Sequence, residues 1–257
     1  MFGRNGCHKR RRENIMNYLL GIDVGTSATK TVLFDEKGTV IASASQEYPL
    51  YQPENGWAEQ KPEDWRDAVL KTIKEVVSQS GVDKDAVKGI GISGQMHGLV
   101  MLDEAGEVIR PSIIWCDQRT GEEVEDMNRM LGAEKIIQIT ANPAVTGFTA
   151  AKIFWVKKHE PELFARIRKI MLPKDYLVYC LTGVHATDYS DASGMLLLDV
   201  EHKCWSRDML ALCGISESQM PRLYESFAPV GTLLPETAAA LGLPQGVTVC
   251  AGAGDNA

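Results

Sequence analysis

Two aspartates follow short apolar runs at opposite ends of the chain. Residues 18–22 lead directly into Asp23, and residues 247–251 lead through glycines into Asp255. We expect both runs to be buried strands, which places both carboxylates at the carboxyl edge of a sheet, where open α/β sheets bind ligands. One carboxylate precedes a Gly-Thr-Ser turn and the other adjoins an asparagine. This pairing indicates transfer of a phosphoryl group to an alcohol.

The turn after Asp23 presents groups that suit an anion. Gly25 allows a tight turn in which backbone amides and the hydroxyls of Thr26 and Ser27 face phosphate oxygens. Asp23 could hold Mg²⁺ through water, because this ion prefers oxygen ligands and keeps part of its hydration shell. An ordinary hairpin turn, in which Asp and Gly are common, explains the same residues equally well.

A second polar cluster follows the apolar residues 87–92. Its sequence is GQMHG, in which flanking glycines allow a ligand to approach Gln95 and His97 closely. Both side chains can form hydrogen bonds with a polyol. The alternative is a purely structural histidine.

The last cluster combines small residues with a carboxylate and an amide. Asp255 can accept a proton from a hydroxyl within hydrogen-bond reach, and Asn256 can bind a neighbouring hydroxyl. The alternative is a helix N-cap, a position that favours Asp and Asn. Both roles are compatible.

These clusters need a scaffold of mixed α/β type. The β-branched pattern of residues 18–44 predicts a three-stranded antiparallel meander, and alternating strands and helices follow it. The predicted architecture is therefore a mixed, partly parallel sheet with flanking helices. We expect Trp115 to be buried in the core and residues 188–194 to form a structural loop.

The charge, hydropathy and cysteine content of the sequence argue against several classes of protein. A net charge of -7 argues against a general nucleic-acid surface, and no apolar run reaches the ~18 residues of a membrane span. Six scattered cysteines without a Cys-x-x-Cys pair are typical of reduced thiols in a cytoplasmic protein. The protein could also form a homodimer.

Residues 1–15 are basic and lack hydrophobic periodicity. We expect a disordered leader, with Met16 as an alternative start. The run at residues 9–12 could instead contact nucleic acid or lipid.

The motifs in order resemble the FGGY family of carbohydrate kinases. The matching strings are GIDVGTSATK, WAEQ, GISGQMHG, IIWCDQRT, TGFTAAKIFWV, LPKDYL, SDASG and AGAGDNA, which together extend from Gly21 to Ala257. Each string is weak alone, but their shared order is specific.

The resemblance implies a fold, a reaction and residue roles. The fold is an actin/hexokinase-like domain of the ribonuclease H type, and the reaction transfers the ATP γ-phosphate to the 5-hydroxyl of D-xylulose with Mg²⁺. By position, Asp255 corresponds to the catalytic base and Asp23 to the acid at the metal and phosphates. Met96 and His97 correspond to sugar contacts, with Asn256 beside the base. Relatives that phosphorylate glycerol have an Arg-Glu pair in place of Met96-His97, so the MHG string favours xylulose.

The resemblance also implies that residues 16–257 form the N-terminal, sugar-binding domain of a longer kinase. Family members continue into a second domain that carries the adenosine pocket, and we expect this half alone to bind sugar weakly and to have little or no turnover. We expect Asp23, His97 and Asp255 to converge on one pocket. The alternatives are a kinase for another polyol, such as ribulose or gluconate, and a stand-alone sugar-binding module.

Overall fold

A computed structural model describes residues 16–256, so the predicted leader lies outside the described residues. The longer strands and their short partners are β1 (Tyr18–Val24), β2 (Ala28–Asp35), β3 (Val40–Glu47), β4 (Glu59–Gln60), β5 (Val87–Gly94), β6 (Val100–Leu102), β7 (Ser112–Ile113), β8 (Lys169–Met171), β9 (Ala186–Asp188), β10 (Leu198–Asp199), β11 (Cys204–Trp205), β12 (Arg222–Tyr224), β13 (Pro229–Thr232), β14 (Thr248–Cys250) and β15 (Ala253–Gly254).

The helices lie between these strands. They are α1 (Pro62–Ser80), α2 (Gly121–Leu131), α3 (Ala133–Thr140), α4 (Thr149–His159), α5 (Pro161–Arg166), α6 (Pro173–Thr182), α7 (Tyr189–Ser193), α8 (Arg207–Cys213) and α9 (Pro235–Leu241). Short 3₁₀ turns occur at Lys84–Ala86 and Glu217–Gln219.

The main sheet has the strand order β13-β14-β5-β1-β2-β3, and β15 also pairs with β5. Strands β1, β2 and β3 form the predicted antiparallel meander. Strands β1, β14 and β15 all run parallel to β5. The expectation of a mixed, partly parallel sheet is therefore confirmed, and three parallel strands end at the same edge.

Strand β1 is buried on one face only. Leu20, Ile22 and Val24 are inside the core, whereas Leu19 and Asp23 are exposed. Successive side chains of a strand point to opposite faces, and each of the three buried ones stabilises the fold by about 1.5–3 kcal/mol. The expectation that the strand before Asp23 is buried holds for one face only, because its alternate positions belong to the more exposed face.

Two hydrophobic cores hold the domain together. The first lies between the sheet and helices α1, α6 and α9, with Trp65 of α1 fully buried. The second lies among helices α2, α3, α4, α7 and α8 and contains Trp155 of α4. Of the residues that follow β5, Leu99 belongs to the second core and Val100 to the first.

Several local predictions needed correction. The predicted strand at residues 247–251 ends at Cys250, because Gly252 adopts a φ of 80° and a Cβ there would lie 2.1 Å from the carbonyl oxygen of Ile92. The predicted loop at residues 188–194 contains helix α7, whose first turn is capped by Asp188. No periodic apolar pattern had indicated α3, α8 or α9, which are seven or eight residues long.

Within residues 16–256, none of the helices has both the length and the apolar character that a membrane span requires.

Candidate active site

The carboxyl ends of β1, β5 and β15 meet at one edge of the sheet. Asp23 pairs in register with Ser93, which pairs with Ala253 on the other side. The amide of Asp255 donates to the carbonyl oxygen of Gly94 at 3.0 Å, which extends this pairing by one residue. The two aspartates, 232 positions apart in the sequence, therefore lie at the ends of strands that flank β5 on either side.

Asp23 has an exposed carboxylate on the more open face of the sheet. One of its oxygens accepts a hydrogen bond of 3.2 Å from the hydroxyl of Ser93. Its backbone oxygen accepts from the hydroxyl of Thr29 at 3.1 Å, which fixes the start of the turn. The side chain is thus oriented by the next strand and still open to a ligand.

Asp255 has a raised pKa, first because of partial burial and second because of repulsion from Asp23. A carboxylate with a raised pKa is a stronger base toward a hydroxyl proton. The side-chain amide of Asn256 donates to Asp255 Oδ1 at 3.1 Å. Asn256 therefore contacts the proposed base directly, as its sequence position suggested.

The turn at residues 25–27 is held by side chains from two other segments and by a backbone bond of its own. Gln60 donates to the carbonyl oxygen of Thr26 at 2.7 Å, and the indole of Trp115 donates to the Thr26 hydroxyl at 2.9 Å. The amide of Gly25 donates to the carbonyl oxygen of Ala28, so this amide has an internal acceptor. The expectation that all amides of the turn face phosphate therefore does not hold for Gly25; the hydroxyls of Thr26 and Ser27 remain candidates.

His97 has a constrained backbone and a constrained ring. Its φ is 66°, in the left-handed region that few residues other than glycine adopt. Its Nδ1 lies 2.7 Å from the carbonyl oxygen of Gly194, and its ring packs edge-on against Phe148. Because a carbonyl only accepts, Nδ1 carries the proton and Nε2 is the acceptor of the neutral ring.

Met96 connects the histidine to the end of β15. A Cβ placed on Gly254 would lie 2.7 Å from Met96 Cγ, and one placed on Gly194 would lie 2.6 Å from the ring of His97. Both glycines are therefore needed for the close packing of this loop. Asp23 and Asp255 lie at strand ends on either side of β5, and His97 follows Met96 in the loop after β5.

Gln95 is only 1% exposed, and its amide donates to Gln60 Oε1 at 2.8 Å. Gln60 also donates to the carbonyl oxygen of Thr26, so Gln95 links the loop after β5 to the turn at residues 25–27 through Gln60. The structure thus gives Gln95 a protein partner, and direct contact with a sugar stays a prediction.

An open groove of about 660 Å³ runs along the more exposed face of the sheet. Asp23, Lys30 and Ser93 provide polar groups in its largely apolar wall, and the 80% exposed ring of Phe227 lies at its side. Neither His97 nor Asp255 lines it. The expected single pocket is therefore divided, with Asp23 on the groove and His97 on the other side of the strand ends.

Sequence reasoning missed three features of this region. Trp115 was expected in the core but is 47% exposed, because its indole bonds to Thr26. Lys152 of α4 is fully buried and donates to the carbonyl oxygen of His97. Lys174 is fully buried among three aspartates directly behind β5 and β15. Position in the sequence gave no signal, since burial of a lysine depends on distant segments.

The donor set fits a hydrated Mg²⁺. Among the described residues no group of three or more metal-ligating side chains exists, so a cage made only of protein is excluded for residues 16–256. Mg²⁺ is usually held by one or two carboxylates, waters and substrate phosphates. Asp23 supplies an exposed carboxylate, and its repulsion of Asp255 is the kind of local negative charge that a cation offsets.

Comparison with known proteins decides the family. Residues 18–257 match the model of the N-terminal domain of the FGGY family of carbohydrate kinases. The chain belongs to this family. A xylulose kinase of Bacillus subtilis (strain 168) is 46% identical over 242 residues, which cover 94% of this chain and 48% of that protein.

Solved FGGY structures agree with the fold. A structure described as a xyloylose kinase from Brucella ovis superposes with a TM-score of 0.89 at 40% identity, covering 93% of this chain and 49% of that one. A gluconate kinase from Lactobacillus acidophilus superposes with a TM-score of 0.88 at 31% identity, covering 93% and 48%. The FGGY chain thus has the actin/hexokinase-like fold, and it spans about half the length of the relatives it matches.

Proposed function

We propose that this FGGY chain is the sugar-binding half of an ATP-dependent kinase that phosphorylates the 5-hydroxyl of D-xylulose. Residues 16–257 are its N-terminal domain, and a second domain supplies the adenosine pocket. The observation that carries the proposal is the placement of Asp23 and Asp255 at the same sheet edge, on either side of β5, with Met96 packed against Gly254. Relatives that are 35–46% identical to this chain are xylulose kinases, which supports xylulose as the substrate.

Asp255 acts as the general base in this proposal. Partial burial and the nearby Asp23 carboxylate raise its pKa, which strengthens it as a proton acceptor for the attacking hydroxyl. The Asn256 amide, 3.1 Å from Oδ1, orients the carboxylate. Its second amide hydrogen can bind a neighbouring sugar hydroxyl.

Met96 and His97 hold the sugar. The ring of His97 donates from Nδ1 to the Gly194 carbonyl oxygen, so Nε2 can accept a hydrogen bond from a sugar hydroxyl. Met96 provides an apolar wall between Gly254 and Gly194. Together they restrict where the hydroxyl next to Asp255 can lie, and such positioning accounts for much of the rate of phosphoryl transfer.

Asp23, Thr26 and Ser27 face the phosphates. Asp23 would hold a hydrated Mg²⁺, which would supply positive charge to offset the charge on the phosphate oxygens. Trp115 fixes the Thr26 hydroxyl, which can still donate its own proton to an oxygen of the phosphate. These residues lie one strand away from the base, so the two reacting groups meet at the sheet edge.

The cytosol remains the expected location of this reaction. Its support is the scatter of the six cysteines, which is typical of proteins without disulfides.

The full-length product of the gene that encodes this chain tests the proposal. ADP release is measured with D-xylulose, D-ribulose, gluconate and glycerol, each with and without Mg²⁺. The proposal requires the highest kcat/KM with D-xylulose and loss of activity without the ion. Preference for gluconate, which the likeness to the Lactobacillus acidophilus enzyme makes a specific alternative, would change the sugar but keep the kinase. No ADP release with any polyol would leave the sugar-binding module as the better reading.

A further inference from the structure

Lys152 is a buried cation that the stability of the fold does not explain. Its side chain has 0% exposure and lies near the N-terminus of α4. Among the ion pairs within residues 16–256, none includes Lys152. A cation near the positive end of a helix is unfavourable, and a buried charge without an ionic partner is costly. Neither ion pairing nor the helix dipole therefore accounts for a lysine at this position.

The ammonium of Lys152 joins two loops of the candidate active site. Its Nζ donates to the carbonyl oxygens of His97 and Gly147, at 2.7 Å each. The hydroxyl of Thr149, also at the start of α4, donates to the same oxygen of His97 at 3.1 Å. Both lone pairs of the His97 carbonyl are therefore used by side chains of one helix end.

These bonds also survive loss of the lysine's charge. Burial lowers the pKa of Lys152 to about 7. A neutral amine keeps two N–H groups, which is the number needed for the two carbonyl acceptors. The link that Lys152 makes between the two loops therefore does not depend on its charge and is present in either protonation state.

The bonds from Lys152 and Thr149 act at His97, where the backbone conformation is unfavourable by itself. His97 has a φ of 66°, and L-residues avoid this region because Cβ approaches the following carbonyl oxygen. Gly147 directly precedes Phe148, whose ring packs edge-on against the His97 ring at 4.6 Å. One side chain therefore fixes both the backbone of His97 and the loop that packs on its ring.

The geometry points to Lys152, assisted by Thr149, as a positioning residue that holds His97 in its sugar-binding orientation. Lys152 contacts no substrate and acts through the backbone of His97. This inference rests on the proposed sugar kinase function and adds a determinant of its sugar affinity.

A double-mutant cycle on the full-length gene product tests the inference. Kinetic constants are measured for the wild type, Lys152→Met, His97→Ala and the double variant, with the preferred sugar and with ATP varied in turn. Methionine keeps the length of the side chain and removes its donors. We expect Lys152→Met to raise the KM for sugar by about tenfold, the size of a strong coupling between contacting residues. The KM for ATP stays unchanged.

The coupling separates positioning from a general structural role. In the His97→Ala background, Lys152→Met should change the sugar KM by less than about twofold, because the residue through which it acts is gone. An equal rise of the sugar KM in both backgrounds overturns the inference, and so does a wild-type sugar KM in Lys152→Met. Lys157→Met is the matched control, since Lys157 is exposed on the same helix; it should retain both KM values.

A second variant covers the case in which Lys152→Met does not fold. Thr149→Val removes the other donor to His97 with nearly the same shape, and it should raise the sugar KM by about threefold, as loss of one neutral hydrogen bond does. The effect should again vanish in the His97→Ala background. An active wild type with additive effects rejects the inference alone, whereas a wild type inactive toward every polyol rejects the proposed function and the inference together.

Discussion

At the residue scale, the candidate site depends on two carboxylates whose different surroundings suit them to different roles. Asp23 is exposed and accepts a hydrogen bond from Ser93, whereas burial and the Asp23 charge raise the pKa of Asp255. Two nearby acids in different environments can thus serve as phosphate-side acid and proton acceptor. This division follows from strand register and needs no unusual residue.

Replacing the base should affect turnover far more than sugar affinity. We expect Asp255→Asn in the full-length gene product to lower kcat by about 10²–10⁴-fold, the usual contribution of a general base. The sugar KM should stay within about twofold, because the amide keeps the shape and can still hydrogen-bond a hydroxyl. Steady-state ADP release measures both, with Asp67→Asn on the exposed side of α1 as control. Near-wild-type kcat would remove Asp255 from the role of base.

The protonation of His97 should set the acid limit of sugar binding. Burial lowers the pKa of His97, and the charge of Lys152 lowers it further, while the bond to Gly194 opposes the shift. The ring is therefore neutral at neutral pH and gains a proton on Nε2 only as the pH falls through a value below about 6.5. That proton turns the acceptor into a donor, so the sugar KM should be constant at neutral pH and rise below that point.

The control for this pH profile is His97→Gln, which cannot titrate. Its sugar KM should be higher than that of the wild type and independent of pH across the same interval. A wild-type profile that rises only as Asp255 titrates, with the same rise in His97→Gln, would contradict the assignment to His97.

At the element scale, helices α4 and α6 each bury a lysine behind the site, and the two lysines differ in their partners. Lys174 of α6 lies 2.6 Å from Asp175, 2.9 Å from Asp188 and 3.6 Å from Asp191. Burial opposes its charge, but these carboxylates raise the pKa of Lys174 above its ordinary value. Lys152 has only carbonyl acceptors.

The two lysines should therefore respond to the same substitution to different degrees. We expect Lys174→Met to lower the free energy of unfolding by about 3–5 kcal/mol, because it leaves buried carboxylates without their cation. Lys152→Met should lower it by only about 1–2 kcal/mol, because it leaves two carbonyl oxygens without a donor but also removes a buried charge that has no ion-pair partner. Urea unfolding followed by circular dichroism measures both. Equal losses in the two variants would show that Lys152 contributes to stability as an ion-pair partner does.

At the scale of the whole molecule, this FGGY chain has a self-contained core but a site that is open on one side. The groove beside Asp23 lies on the more exposed face of the sheet, and the 80% exposed Phe227 borders it. Many enzymes complete their sites by closing a lobe or domain around the substrate, which excludes water. In the proposed function a second domain would supply the wall opposite this groove.

Calorimetry on the chain itself should reflect this openness. We expect D-xylulose to bind with a Kd near or above about 1 mM, the weak end of typical KM values, and ATP to give no measurable heat. Addition of Mg²⁺ with ATP should not change this, because the phosphate turn alone provides few contacts. The His97→Ala variant, which lacks the proposed sugar ligand, is the control for the sugar signal. Tight ATP binding would place the nucleotide site in this half and contradict the two-domain proposal.

The sequence by itself determined the local features whose causes are local. The alternating pattern of residues 18–44 predicted the meander, and the periodic apolar positions of α1 predicted that helix, because side-chain periodicity reflects which face is buried. The order of the motifs predicted the family and the residues Asp23, His97 and Asp255. Short helices such as α8 and α9 were missed, since seven residues show too little periodicity.

Only the tertiary structure decided which of these residues meet. The strand order β1-β5-β15 brings Asp23 and Asp255 to the same sheet edge, on either side of β5, while the left-handed turn at His97 directs its ring toward Gly194 and away from the groove. The exposure of Trp115 and the burial of Lys152 likewise depend on partners far away in the chain. A pattern of residue types records what each position prefers, but the balance of hydrogen bonds and burial that selects its contacts exists only once the strands are paired.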